Sequence, residues 1–276
     1  MFSGDIKPGI SLAAYVRAYR IVDLFFTNQQ SIPFKAYPPR PQHSIFFFPK
    51  DMETVTYHES NTVYSGVKTC IMGQQTLSCN RYVAKNFLTL QVVFQPGVLH
   101  RITGIPANEL NNCYLDAEFV LGKNVNLVNE QLFFAHDYSE MVCIVETFLS
   151  TLIRRFRKSE HTVNRIGKLM IENIHEHSID WFCKEACLSP RQFERKFKEY
   201  IGVNPKLYAR IIRFDNVFRM KNKYPHKDWL SIAIHCGYHD YQHLVKEYKD
   251  FTGCTPNEFF DLDTKAPERF FGDVET

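Results

Sequence analysis

Two sets of side chains in the last third of the chain have the chemistry to meet a polyanion. Arg191, Glu194, Arg195 and Lys198 fall on one side of a helical pattern, and Tyr241, Gln242, Lys246 and Lys249 take the matching side of a second pattern 51 residues on. Arginine carries a rigid fork of donors, lysine a point charge, and glutamine a donor–acceptor pair, so these types suit phosphate oxygens and base edges. Glu194 would repel a phosphate and gains a meaning only if aimed at a base. Its alternative is an i,i+4 pair with Lys198, and a helical bundle with solvated charges is the plainer reading of either set taken alone.

The elements that must position them are written twice. Ser189-Pro190-Arg191-Gln192-Phe193 leads through Phe197 and Tyr200 to Gly202, Pro205 and Tyr208. Asp240-Tyr241-Gln242-His243-Leu244 leads through Tyr248 and Phe251 to Gly253, Pro256 and Phe259. The offset of 51 falls to 50 upstream, where Gly237 answers Cys187 and Ala233 answers Cys183, so the second turn carries one extra residue. Ser189 is a good N-cap, Pro190 suits the first helical position, and Gln192 completes a capping box. Phe193, Phe197 and Tyr200 line one face, Gly202 stops the helix, and Asn204-Pro205 begins the next. Asp240 caps the second copy, with Leu244, Tyr248 and Phe251 inside. A repeated supersecondary unit of this kind predicts two helix-turn-helix units in tandem.

This stretch resembles the DNA-binding domain of AraC/XylS-type transcription regulators. The resemblance rests on Ile232-Ala233-Ile234-His235-Cys236-Gly237-Tyr238-His239-Asp240, on Tyr248-Lys249, and on Gly253-Cys254-Thr255-Pro256-Asn257-Glu258-Phe259. Tyr stands for the usual Phe at 238 and 248. Cys187 stands where the first unit often has glycine, which predicts a less tight first turn. The resemblance implies that each unit lays its second helix in a major groove. It places Arg191, Glu194 and Arg195 at base-contacting positions, the arginines toward guanine and Glu194 toward cytosine N4. Tyr241, Gln242 and Lys246 take the matching places, Gln242 toward adenine and Lys246 toward guanine or phosphate; Lys198 and Lys249 suit phosphate. The helix from about Pro205 to Lys223 would set the separation of the two readers.

Composition agrees with a polyanion partner. The net charge is only +3, yet residues 1–150 hold 11 Lys/Arg against 12 Asp/Glu, residues 151–260 hold 20 against 13, and residues 261–276 hold 2 against 5. A basic block followed by an acidic tail is an electrostatic footprint. The eight cysteines form no CxxC pair; they read as reduced core thiols of a cytoplasmic protein rather than a disulfide framework. Cys183 and Cys187 share a predicted helix face, but no further ligands stand at zinc spacing. Asp5, Lys7, Arg17, Arg20 and Asp23 interrupt any signal peptide, and no apolar run suits a membrane span.

The first half reads as α+β with a small antiparallel sheet. Residues 10–26 fit helix or strand; Pro33, Pro38, Pro39 and Pro41 make 33–42 a loop or edge. His43–Phe48, Thr54–His58 and Phe87–Phe94 read as strands, with weaker candidates at Val63-Tyr64 and Cys70-Ile71. On the last long strand Leu88, Leu90, Val92 and Phe94 share a face opposite Thr89, Gln91 and Val93. Helices follow over Val98–Thr103, from Ser139 to about Arg157, and over Val163–Glu176. The wide apolar stripe of the Ser139 helix packs on its own domain with partial exposure, the alternative being a second copy of the chain. The run Leu90–Gly97 is similar to a stretch of AraC-type sensor domains and implies a cupin-like barrel or sandwich with flanking helices. Tyr57, Tyr64, Phe46, Phe48 and Phe94 either line an aromatic pocket or form plain core. His43, His58 and His100 do not make a cupin metal site, and no catalytic motif is present.

The expected organisation is a sensor or dimerisation domain over residues 1–153, a linker over 154–162, an all-α DNA-binding domain over 163–262 made of two helix-turn-helix units joined by a long helix, and an acidic tail over 263–276. The expected activity is sequence-specific, non-enzymatic transcription regulation without cofactor or metal. Its expected partners are double-stranded DNA, a small-molecule effector, RNA polymerase if it activates, and a second copy, with no membrane. The rival is a cupin-like small-molecule or metal-binding protein whose basic helical domain mediates protein contacts.

Overall fold

A computed structural model describes residues 2–27, 31–57, 60–155 and 160–271. The N-terminal half is built on two antiparallel sheets. In chain order the strands are β1 (Phe2–Ile6), β2 (Val16–Phe25), β3 (Lys35–Tyr37), β4 (Ser44–Phe47), β5 (Thr54–Tyr57), β6 (Thr62–Tyr64), β7 (Thr69–Met72), β8 (Cys79–Tyr82), β9 (Asn86–Phe94) and β10 (Tyr114–Asp116). The larger sheet has the order β1-β2-β9-β4-β7-β10, the smaller β3-β8-β5-β6. The ambiguous segment at 10–26 becomes the strand β2 from Val16 on, which pairs with β9 along nearly its full length. β1, β8 and β10 carry too few apolar residues to stand out in the sequence. His58 and Glu59 lie outside the described residues.

Strand alternation gives the central sheet two different faces. Leu88, Leu90, Val92 and Phe94 of β9 pack with Tyr19, Ile21, Ile45 and Phe47 under a layer of helices. Those helices are α1 (Val98–Thr103), α2 (Ala117–Leu121), α3 (Asn124–Phe134) and α4 (Tyr138–Arg155). α4 buries Met141, Val145, Leu149 and Leu152 in this core, as its stripe predicts. The other face, with Phe46, Cys70, Met72 and Phe87, meets Tyr37, Val55, Tyr57 and Cys79 of the smaller sheet.

The C-terminal half is helical: α5 (Thr162–Asn173), α6 (Ile179–Glu185), α7 (Pro190–Ile201), α8 (Pro205–Lys223), α9 (Trp229–His235), α10 (Tyr241–Thr252) and α11 (Pro256–Asp263). Two cores match the two sequence copies. One gathers Phe182, Phe193, Phe197, Ile201, Tyr208 and Ile212, the other Phe214, Phe218, Ile232, Leu244, Tyr248 and Phe259, so α8 serves both. Of the expected linker, residues 156–159 lie outside the described residues, as do residues 272–276 of the acidic tail. The described part of that tail turns back on the protein as a 3₁₀ segment, Pro267–Phe271.

The halves meet over an extensive polar and apolar contact. The proline segment expected as a loop or edge supplies the edge strand β3 and a loop after it, and is buried from Ala36 to His43, with Arg40 only 1% exposed. The Arg40 guanidinium lies over the rings of Tyr37 and Phe218 and faces Asp215 of α8, Nε to Oδ1 3.8 Å. Burial alone would raise the Asp215 carboxyl, but Arg219 and Arg40 beside it hold it below the usual carboxylate range. Prolines cost little further backbone entropy and lack an N–H to satisfy, which suits a buried connecting segment.

Candidate nucleic-acid interface

Each reader starts from local capping. The Ser189 hydroxyl accepts from the Gln192 N–H and the Gln192 side chain accepts from the Ser189 N–H, completing the capping box. Asp240 accepts from the His243 N–H at 2.7 Å. Gly202 (φ 99°) and Gly253 (φ 72°) end α7 and α10 in the left-handed conformation. The two turns open alike and differ by the one extra residue of the second. Ala186 N–H donates to Phe182 O and Cys187 N–H to Lys184 O, and Cys236 N–H to Ile232 O and Gly237 N–H to Ile234 O. Cys187 takes φ 53° where Gly237 takes 77°, so the looser first turn expected from the missing glycine does not occur. The cysteine accepts a left-handed backbone instead, at a cost of about 1 kcal/mol. That conformation also separates Cys187, exposed, from Cys183, buried, so the two do not share a face.

The residues singled out in the sequence stand out from these frames. Arg191, Glu194, Arg195 and Lys198 are exposed on α7; Gln242, Lys246 and Lys249 are exposed on α10, and Tyr241 is half-buried against the second core. Among the described residues none of the six charged side chains is held in an ion pair. Lys196 pairs with Glu199 at 2.9 Å, while Glu194 and Lys198 stay apart. Free donors on helices that are otherwise fully capped suit an external acceptor. α8 has 19 residues and so is about 28 Å long, against a groove repeat of ~34 Å.

Both readers are tied at their C-terminal ends to the N-terminal half. On α7, the Ile201 carbonyl accepts from His43 Nε2 at 3.0 Å and the Gly202 carbonyl from Asn111 Nδ2 at 2.8 Å. Burial pushes His43 down to about 4, so it is the neutral ring, with its proton on Nε2, that makes this bond. On α10, the Phe251 carbonyl accepts from the backbone N–H of Ser78 at 3.0 Å.

Two features escaped the sequence. A basic cleft between the units is lined by His175, Asn216, Lys223, His226, Lys227 and His235. Burial first, then the charges of Arg213 and His235, lower His175. The signal was present as the basic run from Lys221 to Lys227 after the connecting helix. The second feature is a cavity of about 190 Å³ between the two sheets. Its charged rim pairs Arg20 with Asp5 (2.8 and 3.0 Å), Arg81 with Glu53 (2.9 and 2.5 Å), and Lys35 with Glu268. Arg81 lies 4.6 Å from the ring centres of both Tyr37 and Phe46. Thr89 and Gln91, the polar residues on the inner face of β9, line it and were its trace in the sequence. Of the five aromatic candidates only Phe46 lines the cavity; Phe48, Tyr57 and Tyr64 pack in the inter-sheet core, and Phe94 faces the helices. Among the described residues no cluster of His, Cys, Asp or Glu is placed to hold a metal ion, and no helix is long and apolar enough to cross a membrane.

Residues 182–261 match a family of helix-turn-helix domains, and residues 5–116 match a domain family of unknown function. The HTH-type transcriptional regulator ArgR of Pseudomonas aeruginosa is 31% identical over 108 residues, which is 39% of this chain and 32% of that protein. The chain thus spans about a third of the length of the curated relative it matches. Among solved structures, ToxT from Vibrio cholerae superposes over 88% of this chain and 98% of its own, with a TM-score of 0.52 at 11% identity. An unsaturated-fatty-acid-bound form of ToxT covers 94% of this chain and 97% of its own, with a TM-score of 0.52 at 14% identity. At such identity the likeness is one of fold: a two-sheet half joined to a double helix-turn-helix half.

Proposed function

We propose that this chain, of AraC/XylS type in its C-terminal domain, is a transcription regulator that reads two successive major grooves on one side of a duplex with α7 and α10, under control of a small molecule bound between its two N-terminal sheets. The division at 154–162 separates the controlling domain from the reading domain. One observation carries the reading: two copies of one capped helix-turn-helix unit present free polar and charged side chains and share one connecting helix and one partner domain. Arg191 and Arg195 serve guanine, Glu194 cytosine N4, Gln242 adenine, and Lys246 guanine or phosphate; Lys198 and Lys249 neutralise phosphates, and Tyr241 packs beside them. The cavity, in a fold that binds a small molecule in ToxT, supplies the control.

A selection of bound sequences from random DNA with the full chain should return two conserved blocks about one helical turn apart. Arg195→Ala should then weaken binding to the selected sequence by ~1–3 kcal/mol and relax base choice in one block. Equal loss on selected and random DNA would remove Arg195 from base reading. The absence of any conserved block would remove the function.

A further inference from the structure

The second half of α8 works on two sides. Asp215 and Phe218 meet Arg40 of the N-terminal half. Asn216, Met220 and Lys223, at i, i+4 and i+7, form another stripe and line the basic cleft. At 3.6 residues per turn the two sides point roughly 140° apart. The cleft therefore opens away from the N-terminal half, and among the described residues none of that half lines it. The N-terminal half also takes the C-terminal ends of α7 and α10. A duplex that meets both readers must approach from the side left uncovered, which is the side of the cleft.

The cleft is built from both units. His175 comes from the loop after α5, His226 and Lys227 from the loop before α9, and His235 from the end of α9. Its floor is fixed. Asn216 Nδ2 and His175 Nε2 lie 3.1 Å apart, and a Cβ added at Gly237 would stand 3.1 Å from His175 Nδ1. His175 thus rivets the first unit to the connecting helix and to the turn of the second. Lys227 lies near enough to Cys236 for its charge to oppose burial, which pushes that thiol up to about 11.

The trough, of about 980 Å³, carries one sign of charge. Among the described residues no Asp or Glu lines it. Asp215 is turned to Arg219 at 2.8 Å, and Asp228 accepts from the Ser231 N–H at 2.8 Å as the cap of α9. An open trough of lysines and imidazoles without a carboxylate among them draws phosphate.

Resting on the reading of α7 and α10 as groove readers, we propose that this trough holds the sugar–phosphate backbone running between the two grooves, with Lys223 and Lys227 each neutralising a phosphate and His226 and His235 beside them. The contact reads no base. It fixes the register of the two units on the duplex and adds the same affinity on any sequence.

The test measures binding of the full chain to its selected duplex and to random duplex over a range of potassium chloride concentrations. Lys223→Gln with Lys227→Gln should lower the slope of log K against log salt by about 2 and weaken both duplexes about tenfold, leaving their ratio unchanged. Lys227→Gln alone should lower the slope by about 1, and serves should the double variant disturb folding. Lys85→Gln with Lys123→Gln removes the same charge from exposed sites of the N-terminal half and should leave the slope as it was. Uncharged methylphosphonate linkages placed between the two conserved blocks should weaken the wild type about tenfold and the double variant hardly at all. Inorganic phosphate, titrated calorimetrically, should bind no more tightly than sulfate.

A slope that ignores Lys223 and Lys227, an equal fall in the Lys85 and Lys123 variant, or an equal methylphosphonate loss in both proteins overturns the proposal. So does a preference for inorganic phosphate that the double variant abolishes, since the trough would then serve a free phosphate ligand. A wild type that binds no DNA sinks the groove reading and the trough with it. Wild-type binding with an unaltered slope in the variants sinks the trough alone.

Discussion

The two helix-turn-helix units share a turn, a cap, a stop and a core, yet they are attached to the rest of the molecule by different means. The first reader is held by side chains: His43 and Asn111 bond the last carbonyls of α7. The second adds backbone and strand to its side-chain contacts: the Ser78 N–H bonds Phe251, β3 contributes Ala36 to its core, and Arg40 lies over Phe218. The first turn uses a strained cysteine, the second a glycine. The first helix of each unit differs too. Leu230 and Ile234 are half in water at 52% and 53% exposure, where the first unit places Asp180 and Lys184. Duplicated sequence thus gave duplicated local geometry, while the attachments diverged. A side-chain attachment can titrate; a backbone attachment cannot. The cavity strand β3 offers a packing route to the second unit.

The largest break in this comparison should come from acid. His43 is held near 4 in the folded protein against 6.5 for the free side chain, so below pH 6.5 the unfolded chain takes up a proton that the folded one refuses. Its neutral state contributes stability that is fully present above pH 6.5 and is lost as pH falls toward 4, by roughly 3 kcal/mol at most. His43→Gln keeps a donor for Ile201 and does not titrate. Urea unfolding at pH 7 and pH 4.5 should show a smaller acid loss in the variant, and hydrogen exchange in acid should accelerate at the end of α7 before the end of α10. A variant with the same acid profile as wild type would clear His43 of this role.

Next comes the turn. Gly237→Ala should cost ~1–2 kcal/mol, since φ 77° is left-handed and the added Cβ would stand 3.1 Å from His175 Nδ1. Cys187→Gly should go the other way and stabilise by only about 0.5 kcal/mol, because relief of strain is partly offset by the entropy of the unfolded glycine. Thermal melts of both variants decide it; a destabilising Cys187→Gly would mean that the thiol itself has a packing role. The smallest effect should follow from giving α9 the polar pattern of α6 with Leu230→Asp and Ile234→Lys. Both sites are exposed, so stability should move by less than ~0.5 kcal/mol. A loss of several kcal/mol would show that those side chains are covered in solution.

Much of the second half was legible because its signals are local. Ser189, Gln192, Asp240, Gly202, Gly253 and Pro205 act on the backbone within four residues of themselves, and Phe193, Phe197, Leu244 and Tyr248 repeat at helical spacing. Arg195 and Lys246 could be placed on the open faces for the same reason. The first half was legible only where a strand was long. β9 declared both faces, but β1, β8 and β10 are three to five residues long, and their partners are remote in sequence.

By itself, then, the order of residues determined the two helix-turn-helix units, the helix α8 between them and the left-handed ends of α7 and α10, since capping, turn chemistry and periodicity need no distant partner. Only the tertiary structure decided that a proline-rich stretch would be buried with Arg40 against Asp215, that His43 would be kept neutral at the foot of α7, and that Glu268 would meet Lys35. Each of these joins groups more than a hundred residues apart. Whether such a charge or ring is shielded or solvated depends on what the folded chain packs around it.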